Sequence, residues 1–300
     1  ICFVGYSWAQ DTTLSIENQT FTLADVIVRN NFEYKDILAR IKRDTSFYKA
    51  FKTLRTIGYS SFNHIEMYDK NQKMEASLDS RTRQNRIGDC RTMDVIEEKT
   101  FGKLRDSKGE YNYVTPSLYA SLFFTKGKIC GETNIVKGKK RTIQGSGIEK
   151  AKEQLKMLFF NPGKDIPGIP LMGGKVKVFD KAHSDLYDFS IDIQEYKGKP
   201  AYLFVLKIKE GLTFYKKDDV VIDEMTTWFN YDSFEVMARN YSMSYNAGVY
   251  RFNVSMQVEI GKIGQYLYPK IIRYDGNWGV LIKGKERGLF TATIYDLDVN

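Results

Sequence analysis

The second half of the chain alternates apolar and polar residues with a period of two. The alternation is complete over residues 250–260, where Tyr250, Phe252, Val254, Met256, Val258 and Ile260 alternate with Arg251, Asn253, Ser255, Gln257 and Glu259. A strand of this kind has one dry face and one wet face. Further strands are predicted near residues 186–194, 201–209, 212–217, 220–229, 234–244, 266–274, 277–283 and 289–297. Because short turns connect them, this half predicts a long antiparallel meander.

The first half of the chain follows the helical period instead. Residues 31–59 predict two helices whose apolar residues recur at helical spacing, namely Ile37, Leu38 and Ile41, then Phe47, Ala50, Phe51 and Leu54. Another helix is predicted over 147–160, where Ser146 and Glu149 form a capping box. Two short strands are predicted near 62–68 and 74–78, and the polar, basic stretch 80–112 predicts an irregular segment.

The two halves together predict an α+β fold. A meander of long strands forms a closed barrel, a sandwich or a curved sheet, and a curved sheet covering helices in its concave face satisfies both halves of this chain. We expect residues 1–9 to be a signal-peptide remnant and 10–165 to be a helical half with a short β-hairpin and a basic insertion. Residues 166–300 are then an antiparallel meander that completes the same sheet.

The dry faces of these strands supply a candidate ligand-binding surface. An apolar ligand could lie between sheet and helices, because a wide barrel face is difficult to fill with side chains alone. The alternative is a sheet that packs on the helices without any space. The candidate lining residues are Phe189, Ile191, Phe204, Leu206, Trp228, Tyr250, Phe252, Val254 and Met256.

The apolar start of the chain predicts export. It reads ICFVGYSWA and is followed by Gln10-Asp11, with Ser7 and Ala9 at the −3 and −1 positions of a small-residue cleavage rule. A buried N-terminal strand and a lipid-modified Cys2 are the alternatives. Export would leave Cys90 and Cys130 as the mature cysteines, which either pair in an oxidising compartment or remain two buried thiols.

Charge is concentrated in the first half of the chain. Of the net +8, residues 10–150 contribute 25 basic minus 18 acidic residues, or +7, and residues 151–300 contribute 20 minus 19, or +1. The densest clusters are Arg81, Arg83, Arg86 and Arg91, and Lys137, Lys139, Lys140 and Arg141. In an exported protein such a surface favours anionic lipid or glycan over nucleic acid, and the second cluster is the candidate anion-binding site. A solvated loop is the alternative for either cluster.

Little in the chain suggests catalysis, a metal or a cofactor. There are two histidines, and the neighbours His183-Ser184-Asp185 cannot assemble a catalytic triad because its members must come from separate segments. The acidic group Asp218, Asp219, Asp223 and Glu224 does not have the spacing of a calcium loop. Gly145 and Gly147 precede a helix, but no nucleotide-binding motif surrounds them. We therefore predict no catalytic residue, no metal and no cofactor.

Parts of the sequence resemble known families. The segments WFNYDSFEVMARNYSM (228–243), VYRFNVSMQVEI (249–260) and YLYPKIIRYDGNW (266–278) resemble the C-terminal sheet of the LolA/LolB lipoprotein-carrier superfamily. That resemblance implies a half-barrel of roughly eleven strands closed by helices, an apolar cavity for acyl chains and no catalytic residues. Residues 36–55 and 152–170 resemble a set of uncharacterised exported bacterial proteins. The basic, cysteine-bearing insertion between about 80 and 145 departs from the carrier pattern.

These observations predict a non-catalytic periplasmic or extracellular protein. A lipid or an acylated protein would bind in an apolar cavity between sheet and helices, and the basic half would meet an anionic envelope surface. The first alternative is a structural or adaptor protein of the outer envelope without a cavity. The second alternative is a hydrolase, which the scarcity of histidine disfavours.

Overall fold

A computed structural model describes residues 12–16, 19–23, 34–132, 159–160, 162–163, 175–217, 219–246, 250–280 and 284–299. The strands are β1 (Thr12–Ile16), β2 (Gln19–Leu23), β3 (Gly58–Tyr68), β4 (Met74–Ile87), β5 (Cys90–Gly102), β6 (Ile129–Cys130), β7 (Tyr187–Tyr196), β8 (Lys199–Ile208), β9 (Ile222–Asn230), β10 (Val236–Asn246), β11 (Tyr250–Ile263), β12 (Tyr266–Val280) and β13 (Gly284–Asp298). The helices are α1 (Tyr34–Arg43), α2 (Ser46–Thr53), α3 (Val114–Phe123), α4 (Lys181–Ser184) and α5 (Phe214–Lys217).

Eleven of these strands form one antiparallel sheet. Its order is β6-β5-β4-β3-β13-β12-β11-β10-β9-β8-β7, so within the described ranges the sheet is open, with β6 and β7 at its edges. Strand β13 pairs with both β12 and β3 and so joins strands from the two halves of the chain. Strands β1 and β2 form a separate hairpin. The predicted antiparallel sheet and its number of strands are confirmed.

The irregular segment predicted over 80–112 is wrong for most of its length. Strands β4 and β5 pair along their whole length and meet at a turn that contains Gly88, whose φ is +60°. The apolar alternation is missing here because the buried residues of β4 include Ser80, Thr82 and Gln84. These side chains form hydrogen bonds inside the protein, for example Thr82 Oγ1 with Ser61 Oγ at 2.8 Å.

Three other predicted elements differ or cannot be compared. Residues 214–217 form the short helix α5 rather than a strand. The strands predicted at 266–274 and 277–283 are the single strand β12, and Gly276 lies inside it. Glycine is required there, because a Cβ atom at this position would collide with the phenol of Tyr274. The helix predicted over 147–160 lies outside the described residues except for Phe159 and Phe160.

One face of the sheet packs against helices, and we call it the inner face. The ring of Phe47 in α2 lies 6.4 Å from that of Tyr241 in β10, and the ring of Tyr119 in α3 lies 4.9 Å from that of Phe290 in β13. The Tyr119 hydroxyl also donates to Asn63 Oδ1 in β3 at 2.6 Å. Within the described ranges, none of the helices has the length and apolar composition that crossing a membrane requires.

Candidate ligand-binding face

The structure places most of the predicted lining residues on the inner face. Phe189 and Ile191 of β7 pair with Leu206 and Phe204 of β8, and all four side chains are buried. Phe252, Val254 and Met256 are likewise buried on β11. Tyr250 begins β11, and its side chain lies outside the described residues.

Trp228 is the exception among the predicted lining residues. It is half-buried, and it lies on the opposite face of β9, where its ring packs 5.1 Å from the ring of Tyr196. The inner positions of β9 belong to Met225, Thr227 and Phe229, which are buried. The expectation failed because it assumed that the largest apolar residue of this strand faces inward. A threonine takes the inner position beside Trp228, and its hydroxyl bonds to Arg239.

Strand register aligns the inner residues into a continuous apolar row across nine strands. Each member pairs directly with the next, and every one is at most 4% exposed. We call this the central row; in strand order from β7 to β4 it is Phe189, Leu206, Met225, Tyr241, Met256, Tyr274, Phe290, Ile65 and Leu78.

The hydroxyl groups of the central row are hydrogen-bonded. Tyr241 donates to the backbone carbonyl of Phe159, and Tyr274 accepts a bond of 2.6 Å from the indole N–H of Trp278. Burial raises the pKa of both phenols, so both stay neutral over the ordinary pH range. The ring of Tyr274 stacks on that of Phe290 at 4.5 Å. The row is therefore a dry surface without an unsatisfied hydroxyl.

The adjacent row carries one charge. It runs Ile191, Phe204, Thr227, Arg239, Val258, Ile272, Ala292, Asn63 and Ser80. Arg239 is 8% exposed, and its Nε donates to Thr227 Oγ1 at 2.9 Å. Desolvation lowers the pKa of Arg239 to about 10, although the charge of Asp44 opposes the shift. The guanidinium therefore remains charged at neutral pH.

The start of α2 places an aromatic ring on this arginine. Asp44 Oδ1 accepts a hydrogen bond from the N–H of Ser46 at 3.0 Å, the local bond that an aspartate side chain forms with the backbone two residues on. Ser46 Oγ in turn accepts the N–H of Val236 at 3.0 Å, which fastens the helix to β10. The ring of Phe47 then lies 4.4 Å from the Arg239 guanidinium. Sequence reasoning missed Arg239, although its spacing from Tyr241 and Met243 places it in the apolar phase of a predicted strand.

The two basic clusters have different outcomes. Lys137, Lys139, Lys140 and Arg141 lie outside the described residues. The other cluster is divided among internal contacts: Arg83 pairs with Asp296 at 2.6 Å, Arg86 donates to backbone carbonyls, and buried Arg91 bonds to Thr125 and Glu132. Cys90 and Cys130 form a disulfide between β5 and β6.

The side chains considered for catalysis or metal binding do not converge. His183 Nδ1 and Ser184 Oγ are both buried, and neither has a hydrogen-bond partner in the described part of the chain, so they do not bond to each other. Asp219 pairs with Lys175 at 3.2 Å, whereas Asp223 accepts a bond from Ser244 at 2.8 Å. Asp218 lies outside the described residues.

Comparison with known proteins gives weak likenesses. No protein-family model matches the chain, and no curated protein matches it. Among solved structures, the chain is similar to a domain provisionally described as an outer membrane lipoprotein-sorting protein from Vibrio parahaemolyticus, at 8% identity and a TM-score of 0.27 over 88% of this chain and 90% of that one. It is also similar to a protein of the DUF1329 family from Desulfovibrio piger, at 9% identity and a TM-score of 0.26 over 84% and 91%. TM-scores this low carry no argument about function.

Proposed function

We propose that this protein is a non-catalytic component of the cell envelope that binds a lipid or an acylated protein. The sheet is a curved half-barrel, and apolar chains lie between its inner face and the helices. The observation that carries the proposal is the central row, which extends from Phe189 in β7 to Leu78 in β4. A hydrocarbon chain placed along such a surface gains about 0.8 kcal/mol for each methylene group that it buries.

The ring contacts that cover this row suit a ligand that moves in and out. Phe47 meets Tyr241, and Phe159 meets Tyr274, through ring edges, with interplanar angles of 83° and 88°. Each edge contact contributes only about 0.5–1.5 kcal/mol beyond the area that it buries, so a ligand that displaces one of these rings loses little. A bound acyl chain would exchange apolar contacts between protein side chains for apolar contacts between those side chains and the ligand.

The disulfide supports the location. Disulfides persist in oxidising compartments such as the periplasm and the extracellular space, and Cys90–Cys130 joins two strands of the main sheet. We therefore place the protein on the exported side of a membrane, with residues 1–9 as the end of its signal peptide. Lys137, Lys139, Lys140 and Arg141 would meet anionic headgroups of the envelope, and nucleic acid is not a partner.

Native mass spectrometry of protein purified without detergent tests the proposal. We expect adducts with the masses of acyl lipids, which disappear after delipidation and return when lipid is added back. A bare protein mass in every preparation, with no adduct after lipid addition, would contradict it.

A matched pair of substitutions on β8 distinguishes a ligand space from a fully packed core. Leu206 is fully buried on the inner face, and the preceding Val205 is half-buried on the other face. If a space exists, Leu206→Trp keeps its stability and loses bound lipid, whereas Val205→Trp changes neither. If the core has no space, overpacking at Leu206 costs about 1–3 kcal/mol. That second outcome would favour the structural or adaptor protein.

A further inference from the structure

Arg239 brings a charge into the apolar part of the inner face. Its guanidinium has five N–H donors, and among the described residues only the Nε donor forms a hydrogen bond, to the neutral hydroxyl of Thr227. Within the part of the chain that the structure describes, no carboxylate lies within ion-pair distance of it. Asp44 acts on it only through space.

The terminal N–H groups of the guanidinium have no hydrogen-bond acceptor among the described residues. The Cζ atom of the guanidinium lies over the ring of Phe47, 4.4 Å from its centroid. A guanidinium that stacks on an aromatic ring keeps its N–H directions in its own plane, where they match the oxygens of a carboxylate or a phosphate two at a time. Val258, which pairs directly with Arg239 on β11, is buried and apolar, so an anion beside it would interact in a medium of low dielectric constant.

We infer that Arg239 binds the anionic end of an acyl ligand, which carries a carboxylate or a phosphate group. The inference rests on the proposed function, because it requires that the apolar part of the same ligand lie along the central row. It adds the chemical class of the ligand and the residue that selects it. Arg239 and Tyr241 are two residues apart on β10 and share the inner face, so the charged end and the start of the chain would bind side by side.

Three sixteen-carbon compounds that differ only in their polar end provide the test. We would measure the binding of hexadecanoate, hexadecyl phosphate and 1-hexadecanol to the full chain by titration calorimetry. The wild-type protein is expected to bind at least one of the two anions about tenfold more tightly than the alcohol. The preferred anion identifies the carboxylate or the phosphate as the natural group.

Substitutions connect that preference to Arg239. Arg239→Met is expected to remove the preference for anions and keep the affinity for hexadecanol. Arg273→Met is the matched control, because Arg273 lies on the outer face of β12 with 48% of its side chain exposed, and its preference should equal that of the wild type. Arg239→Lys keeps the charge but loses the planar fork, so it should reduce the preference about threefold or more, and it serves as the second variant if Arg239→Met does not fold.

The failures of the two proposals differ. Equal binding of all three compounds by the wild type, or a preference that survives in both Arg239 variants, would overturn the role of Arg239 and leave acyl binding in place. Binding of none of the compounds would contradict the proposed function itself, and the inference with it.

Discussion

The inner face is built differently on its two sides. From β7 to β12 its central row consists of apolar and aromatic side chains, and Arg239 lies beside it with no carboxylate partner among the residues that the structure describes. From β3 to β5 many inner positions are hydroxyl or amide side chains that bond to one another or to helix ends. Gln84, for example, donates to the backbone carbonyls of Leu54 and Ile57 at 2.7 and 2.8 Å.

Because of this difference, the polar side of the inner face is fixed in one geometry, whereas the apolar side can rearrange. A buried polar network specifies one geometry, because moving any member leaves an unsatisfied donor or acceptor. Apolar contacts have no direction and tolerate rearrangement as long as the area stays buried. The segment after α2 is thus fastened to β4, and the apolar side is where we propose that a ligand binds.

Two buried arginines, one on each side of the inner face, show the same difference between the polar and the apolar side. Arg91 on the polar side is 3% exposed and bonds to the carboxylate of Glu132 and the hydroxyl of Thr125. Within the described ranges, Arg239 on the apolar side has a single bond, to a hydroxyl. Arg91 therefore serves the fold, whereas the proposed ligand would take the remaining donors of Arg239.

Removal of the disulfide should have the largest effect on the polar side. Cys90 and Cys130 are separated by 40 positions, and closing a loop of that length lowers the entropy of the unfolded chain enough to contribute about 4 kcal/mol. Cys90→Ser should reduce the free energy of unfolding by this amount in urea titrations. Wild-type protein in reductant is the control and should lose as much. A loss below about 1 kcal/mol in both would show that the bond is absent in solution.

Exchanging each buried arginine for methionine should give unequal losses. Arg91→Met leaves Glu132 and Thr125 without their partner and should cost about 2–3 kcal/mol of unfolding free energy. Arg239→Met removes an uncompensated buried charge and should change stability by no more than about 1 kcal/mol. Thermal and urea unfolding of the two variants side by side measures the difference. Equal losses would mean that Arg239 is as structural as Arg91.

The smallest effect on stability is expected from His64, which lies on the outer face of the polar side. His64 of β3 contacts Asp79 at 2.6 Å and Glu66 at 3.3 Å. Partial burial lowers the pKa of His64, but the hydrogen bonds and charges of Asp79 and Glu66 outweigh it and raise the pKa above 6.5. The stabilisation is therefore present at low pH and is lost as pH rises through the folded pKa. Solvent screens this exposed site, so the gain is below about 0.5 kcal/mol.

A histidine titration by NMR measures this shift directly. The Asp79→Asn variant should bring the pKa of His64 down toward its ordinary value, because it removes the carboxylate that lies nearest to the imidazole. Lys262→Ala, at a distant ion pair with Glu235, should leave the titration unchanged. An unaltered titration in Asp79→Asn would exclude this contact in solution.

The same division explains what the sequence reveals. The strands from β7 onward can be predicted from the sequence because their inner residues are apolar, as in Phe252, Val254 and Met256. Strands β4 and β5 cannot be predicted in this way, because the buried residues Ser80, Thr82 and Gln84 have the polarity of surface residues until their hydrogen-bond partners are known. A buried polar side chain is satisfied by residues distant in the sequence, and no local period records that.

The site shows the same pattern. Seven predicted lining residues follow the alternation and lie on the inner face, whereas Trp228 does not, because its neighbour Thr227 faces Arg239. The sequence could not decide whether Cys90 and Cys130 pair, because pairing depends on where β6 meets β5. Arg239 could have been identified from the sequence, because it is a charged residue at the same alternating positions as Tyr241 and Met243. A charge in that phase of a strand is the pattern to look for in similar chains.

The position of β13 has a consequence for how the molecule is made. Ile65 pairs with Phe290, so strands produced early in synthesis wait for one produced more than two hundred residues later. Contacts this distant in sequence slow folding, and until β13 inserts, the edges of β3 and β12 are open to wrong partners. A nascent chain of this protein should thus require a holding chaperone, and cleavage ahead of β13 should leave two sheets that cannot join.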